Sequence, residues 1–77
     1  MQAVTAIIPN WNRGGLLRLA LESIRNQTAP PARILVIDGG SSGDSEVVSR
    51  EAGAEFVNLG SNRGFAHAVN EGVRLAR

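Results

Sequence analysis

The run Ile34-Leu35-Val36-Ile37 ends on the carboxylate of Asp38, and Gly39-Gly40-Ser41-Ser42-Gly43-Asp44 follows it. A carboxylate at such a place can accept hydrogen bonds from a ribose hydroxyl or a base N–H. Two further polar, glycine-bearing stretches accompany it: Asn10-Trp11-Asn12-Arg13-Gly14-Gly15 and Gly60-Ser61-Asn62-Arg63-Gly64. Trp11 offers a ring suited to stacking or to walling a pocket. Arg13 and Arg63 carry charge suited to a diphosphate. Asn10 and Asn12 are turn formers that can also hydrogen-bond a ligand. Asp44 reads as a helix cap. His67, the single histidine, falls off the apolar face of its helix and reads as an exposed position. Asn70 reads equally well as facing a ligand or facing water.

These stretches converge only if the elements between them are parallel strands and crossover helices. The apolar run before Asp38 is continuous rather than alternating, the mark of a strand buried on both faces. The pattern predicts β-α-β-α-β-α, with strands at about 4–9, 33–38 and 54–58 and helices at about 15–26, 44–52 and 65–77. Pro9 is expected to stop the first strand, and Ala29-Pro30-Pro31 to end the first helix. Ser42 or Asp44 is expected to cap the second helix, and Gly53 to close it. Leu17, Leu21 and Ile24 are expected to face the core from the first helix. Val47 and Val48 are expected to do so from the second, and Phe65, Val69, Val73 and Ala76 from the third. Right-handed crossovers then give a three-stranded parallel sheet of order 3-2-1 with helices on both faces, half of a Rossmann-like unit. All three strand-to-helix loops share one rim, where open α/β sheets bind ligands.

The chain has 77 residues and a formal net charge of +1. It reads as one small domain, or the first part of a larger sheet, whose third helix carries no stop signal. At this length about 60% of the unfolded surface is buried, so the chain alone is expected to be marginal. All eight basic residues are arginines spread along the sequence, which argues against nucleic acid as a partner. The absence of cysteine excludes disulfides and thiolate metal sites. No apolar span approaches the roughly 20 residues of a membrane helix, and no signal-peptide pattern opens the chain, so a cytoplasmic location is expected. The loop after the first strand lacks Gly-x-Gly-x-x-Gly, which counts against a dinucleotide site. The absence of lysine excludes a Walker-type phosphate loop.

Three ordered motifs carry a family likeness. Ile7-Ile8-Pro9-Asn10-Trp11-Asn12, Val36-Ile37-Asp38-Gly39-Gly40-Ser41-Ser42-Gly43-Asp44 and Asn62-Arg63-Gly64-Phe65-Ala66-His67-Ala68-Val69-Asn70-Glu71-Gly72 resemble the N-terminal half of family 2 nucleotide-sugar glycosyltransferases, which have the GT-A fold. The Asn-Trp-Asn and Asn-x-Gly-Phe-Ala forms look most similar to the rhamnosyl- and galactofuranosyl-transferase branch. The resemblance implies that Pro9, Asn10 and Trp11 line a nucleobase pocket. It also implies that Asp38 hydrogen-bonds the base, and that Asn62, Arg63 and Gly64 close the far side of the nucleotide. It further implies transfer of a sugar from a UDP- or dTDP-sugar to an acceptor hydroxyl. Mg²⁺ or Mn²⁺ would be held by an Asp-x-Asp motif of the full-length enzyme. That motif and the general base are not among these 77 residues, so no metal is expected on this chain and the isolated chain is expected to be inactive.

Two other readings accompany this one. The free edge of the first strand would suit a folding or assembly module that forms homodimers through that edge or through exposed helix faces. A dinucleotide-binding half-domain of an oxidoreductase has the strand, the helix and Asp38 in its favour. Under the glycosyltransferase reading, Asp38→Ala is expected to weaken nucleotide binding with little loss of stability.

Overall fold

The computed structural model describes residues 4–11, 14–41, 43–61 and 63–76, with the side chains of Gly14 and Phe65 left aside. The sequence expectations for Asn12, Arg13, Ser42, Asn62 and the Phe65 side chain fall outside these. The elements are β1 (Thr5–Asn10), α1 (Gly14–Arg25), β2 (Arg33–Asp38), α2 (Ser45–Glu51), β3 (Glu55–Asn58) and α3 (Phe65–Ala76). The three strands form one parallel sheet with β2 in the centre. Its register sets Asn10 beside Asp38 and Asp38 beside Asn58. All three strands therefore end at one level, in a polar row. β1 runs through Pro9 instead of stopping there. An edge strand tolerates proline because its outward N–H has no ladder partner to lose, and among the described residues β1 pairs only with β2.

Side-chain parity divides the core. Ile34 and Val36 of β2, with Ala6, Ile8 and Phe56, pack under Leu17 and Leu21 of α1 and Val48 of α2. Leu35 and Ile37 point the other way, with Ile7 and Val57, and meet Ala68, Leu75 and Ala76 of α3. Two helices thus cover one face and α3 covers the other, lying across β1 and β2. The shortness of α2 leaves room for a single buried valine. Val48 is buried and Val47 is 57% exposed, because neighbouring residues on a helix point about 100° apart. Asp44 stands at the N-cap of α2 but makes no side-chain cap hydrogen bond. At the other end Gly53, with φ of 80°, closes a Schellman turn. Its N–H donates to the Arg50 carbonyl and that of Ala54 to the Ser49 carbonyl. The buried Ser49 hydroxyl is satisfied by the Ser45 carbonyl at 2.8 Å.

The buried stripe of α3 differs from the expected one. Val73 is 42% exposed, and the residues that meet the sheet are Ala68, Gly72, Leu75 and Ala76. Small residues win this face because the helix lies too close to β1 for a larger one. A methyl group on Gly72 would run into Ile7 Cγ2 and stand 3.3 Å from Ile37 Cγ1. Glycine therefore sets the helix–sheet distance, and with it the height of the amino end of α3 over the rim. Glycine-to-alanine changes in helices ordinarily stabilise by up to about 1 kcal/mol. Gly72→Ala is expected to destabilise by about 1–3 kcal/mol instead, through overpacking. Gly15, in the first turn of α1 with open space around it, should show the ordinary sign when changed to alanine. Urea unfolding of the two variants checks both signs.

Candidate functional site

The polar row at the strand ends is built around Asp38, which is fully buried. One carboxylate oxygen, Oδ1, accepts from Asn10 Nδ2 at 2.9 Å and from the Ser41 hydroxyl at 2.7 Å. The other, Oδ2, accepts from the backbone N–H groups of Gly40 at 3.0 Å and Ser41 at 2.6 Å. Its backbone carbonyl accepts from Leu59 N–H at 2.8 Å, and Gly39 N–H donates to the Asn10 carbonyl at 2.9 Å. One residue thus fastens the ends of all three strands. Asn10 extends the network by donating to the Ser45 hydroxyl in the first turn of α2, at 3.1 Å. The second and third loops then meet backbone to backbone. Gly40 has φ of 88°, and a Cβ there would stand 2.9 Å from the Gly60 carbonyl oxygen. Gly60 is turned by its own N–H donating to Asn58 Oδ1 at 2.7 Å.

A cleft of about 400 Å³ opens above this clamp, on the side of the sheet that α3 covers. Pro9, Asn10 and Trp11 form one wall and Gly39 and Leu59 the floor. Ser61, Arg63, Gly64, His67 and Ala68 form the opposite wall. Five of the residues singled out from sequence therefore line one cleft: Pro9, Asn10, Trp11, Arg63 and Gly64. Trp11 is 49% exposed, a ring presented beside the opening. Asp38 shares side-chain parity with Ile34 and Val36. Its carboxylate thus lies on the α1–α2 face, and Asp38 is not among the residues that line the cleft. Asn62 lies outside the described residues. His67, read from sequence as exposed, is half-buried and part of the cleft wall. It lies one residue before Ala68, which is buried against the sheet, and that adjacency to the true buried face was the available signal.

The electrostatics of the cleft favour an anion. Arg63 is exposed and has no ion-pair partner among the described residues. The amino end of α3 faces the same space, and helix amino ends attract negative charge. No carboxylate among the described residues lines the cleft. Among the described residues no three His, Asp or Glu side chains come together. The cleft offers an arginine, an imidazole, one serine hydroxyl and an amide already donating elsewhere. That donor set does not fit a hard divalent cation, which requires several oxygen ligands with carboxylates among them.

Asp38→Ala would strip the shared acceptor from two loop N–H groups, a hydroxyl and the Asn10 amide. The expectation of little stability loss is therefore reversed. Asp38→Ala should destabilise by about 2–4 kcal/mol, the cost of buried donors left unpaired. Asp38→Asn should also destabilise, because either orientation of the amide turns an NH₂ toward donors. Denaturant titration of both variants checks this.

Comparison with known proteins agrees with this geometry. The family model described as Glycosyl transferase family 2 matches residues 5–77. A poly-beta-1,6-N-acetyl-D-glucosamine synthase of Staphylococcus epidermidis is 28% identical over 80 residues, which cover 99% of this chain and 19% of that protein. The mannosyltransferase PcManGT of Pyrobaculum calidifontis, solved with GDP-Man and Mn²⁺, superposes with a TM-score of 0.84 at 28% identity over 96% of this chain and 24% of that one. The glucosyl-3-phosphoglycerate synthase of Mycobacterium tuberculosis, solved with Mn²⁺, UDP and glucosyl-3-phosphoglycerate, shares the fold with a TM-score of 0.79 at 18% identity over 96% of this chain and 29% of that one. The chain thus spans about a fifth of the length of the curated relative and about a quarter of the mannosyltransferase. No helix among the described residues is long and apolar enough to cross a membrane. With a family match over nearly its whole length, a three-stranded parallel sheet shared with GT-A enzymes and a cleft at the carboxyl ends of the strands, the chain belongs to glycosyl transferase family 2.

Proposed function

We propose that this chain is the N-terminal nucleotide-binding portion of a glycosyltransferase that moves a sugar from a nucleoside-diphosphate donor to an acceptor hydroxyl. The observation that carries the reading is the single cleft wall-to-wall between Trp11 and Arg63, above strand ends clamped by Asp38. Its volume of about 400 Å³ lies within the range of small-ligand sites. Pro9, Asn10 and Trp11 take the base and ribose. Arg63 and Gly64, with Asn62 beside them in sequence, take the phosphate side. Asp38 serves the site by holding Asn10 and the second loop in place. UDP or dTDP is the expected base carrier from the sequence likeness, and the GDP-Man of the mannosyltransferase relative adds guanine to the candidates. The Mn²⁺ in the relatives supports a divalent cation in the full-length enzyme, held by residues outside this chain. The isolated chain is expected to bind donor without turning it over, since none of its described carboxylates faces the cleft to act as a base.

Amide NMR spectra of the chain, titrated with UDP, dTDP, GDP and NAD, test the reading. Shifts are expected at residues 10–11, 39–41 and 59–68 with at least one of the diphosphates and not with NAD. A dispersed spectrum that ignores all four ligands would overturn it. Arg63→Ala should weaken binding of the responding diphosphate by about fivefold to twentyfold, the loss of a partly solvated charge-assisted contact. The melting temperature should hold steady, because Arg63 is exposed and unpaired among the described residues.

A further inference from the structure

His67 enters no part of the reading above, yet it stands on the same cleft wall as Arg63. Its ring is half-buried and makes no hydrogen bond with another described residue. Its one acidic neighbour on α3 is Glu71, already bound by Arg74 at 2.7 Å. Arg74 holds the Glu71 carboxyl below the usual carboxylate range, mainly through that hydrogen bond, and His67 contributes least. Besides Arg63, no other charged side chain among the described residues lines the cleft. The β1 wall and the third loop present Asn10, Trp11, Leu59 and Ser61, all uncharged. From the end of β2, Asp38 keeps its carboxylate on the opposite face with four donors. An imidazole on the cleft wall near a helix amino end, sharing that wall with an arginine and without a hydrogen-bond partner among the described residues, is set to donate to an anion.

Resting on the nucleotide reading, we infer that His67 is a second phosphate-contacting residue of the cleft, and that it takes up a proton when the donor's diphosphate binds. Histidine is the side chain whose charge changes between about pH 5 and 8. The bound diphosphate favours the imidazolium. Donor affinity therefore rises as pH falls. The probe must keep its own charge constant over that range. A nucleotide sugar does so, because its diphosphate is esterified at both ends, whereas UDP gains a charge on its terminal phosphate.

Calorimetric titration of the 77-residue chain with UDP-glucose and GDP-mannose should show binding about threefold to tenfold tighter near pH 6 than near pH 8 for the sugar nucleotide it accepts. His67→Gln, which keeps a donor without the titrating charge, should flatten that dependence while leaving the melting temperature unchanged. Uridine or guanosine alone, matched to the base accepted, should bind with no pH dependence. Equal affinity of the wild-type chain at both pH values would overturn the role of His67 and leave the nucleotide reading standing. A pH dependence that survives in His67→Gln, or that the bare nucleoside also shows, would overturn it as well. Failure of both sugar nucleotides to bind at either pH would overturn the nucleotide reading and this inference together.

Discussion

The architecture of the rim depends on one buried carboxylate. Asp38 ends the central strand, and only a central strand can reach both of its neighbours at once. Through its side chain it draws in Asn10 and the second loop, and through its carbonyl it holds Leu59 at the start of the third. A neutral residue of similar size could not serve four donors with two oxygens, because each oxygen here accepts twice. The clamp is stable because every donor is local or comes from an adjacent strand end, so little chain entropy opposes it once the sheet has formed. Burial raises the strength of each bond and equally the cost of losing one.

A second constraint works from the opposite face. The α3 helix reaches the rim at the correct height only because Gly72 and Ala68 let it settle closely on Ile7 and Ile37. Small residues give up apolar area for proximity. That trade is visible in Val73, 42% exposed, while glycine occupies the inner face. The amino end of this helix is the wall that carries Arg63 and His67. Packing in the first two turns of α3 thus positions its amino end and the loop before it, which carries Arg63.

The two constraints divide the polar residues of the rim by role. Asp38 and Asn10 spend their side-chain hydrogen bonds inside the protein. Arg63, His67 and the ring of Trp11 present theirs to the cleft. The result is a cavity with an aromatic end and a cationic end, walled by elements whose spacing is fixed by backbone contacts such as that between Gly40 and Gly60. Under the proposed function, a nucleoside diphosphate would set its base toward the ring and its phosphates toward the arginine.

Much of this was legible in the chain itself. The unbroken Ile34–Ile37 run, the glycines after it and the repeat of strand, loop and helix fix a parallel sheet with its polar loops on one rim, because strand period and loop chemistry are local properties. The same local reasoning brought Pro9, Asn10, Trp11, Arg63 and Gly64 to one place. It failed where distance between elements decides. Helical spacing of apolar residues favoured Val73, and apolarity in the second helix favoured Val47, for the core, yet the inner face of α3 went to Gly72 because β1 lies too near for a side chain. Its place at the end of a buried strand set Asp38 toward a ligand, and its place off the expected apolar face set His67 toward water. The packed chain places each of them by its neighbours instead. The parity of β2 turns Asp38 to the α1–α2 face, where loop amides bind it, and the seating of α3 on the sheet swings His67 into the cleft. Which polar group is used by the fold and which is left for a ligand depends on what stands within hydrogen-bond reach of it, and only the packed chain determines that.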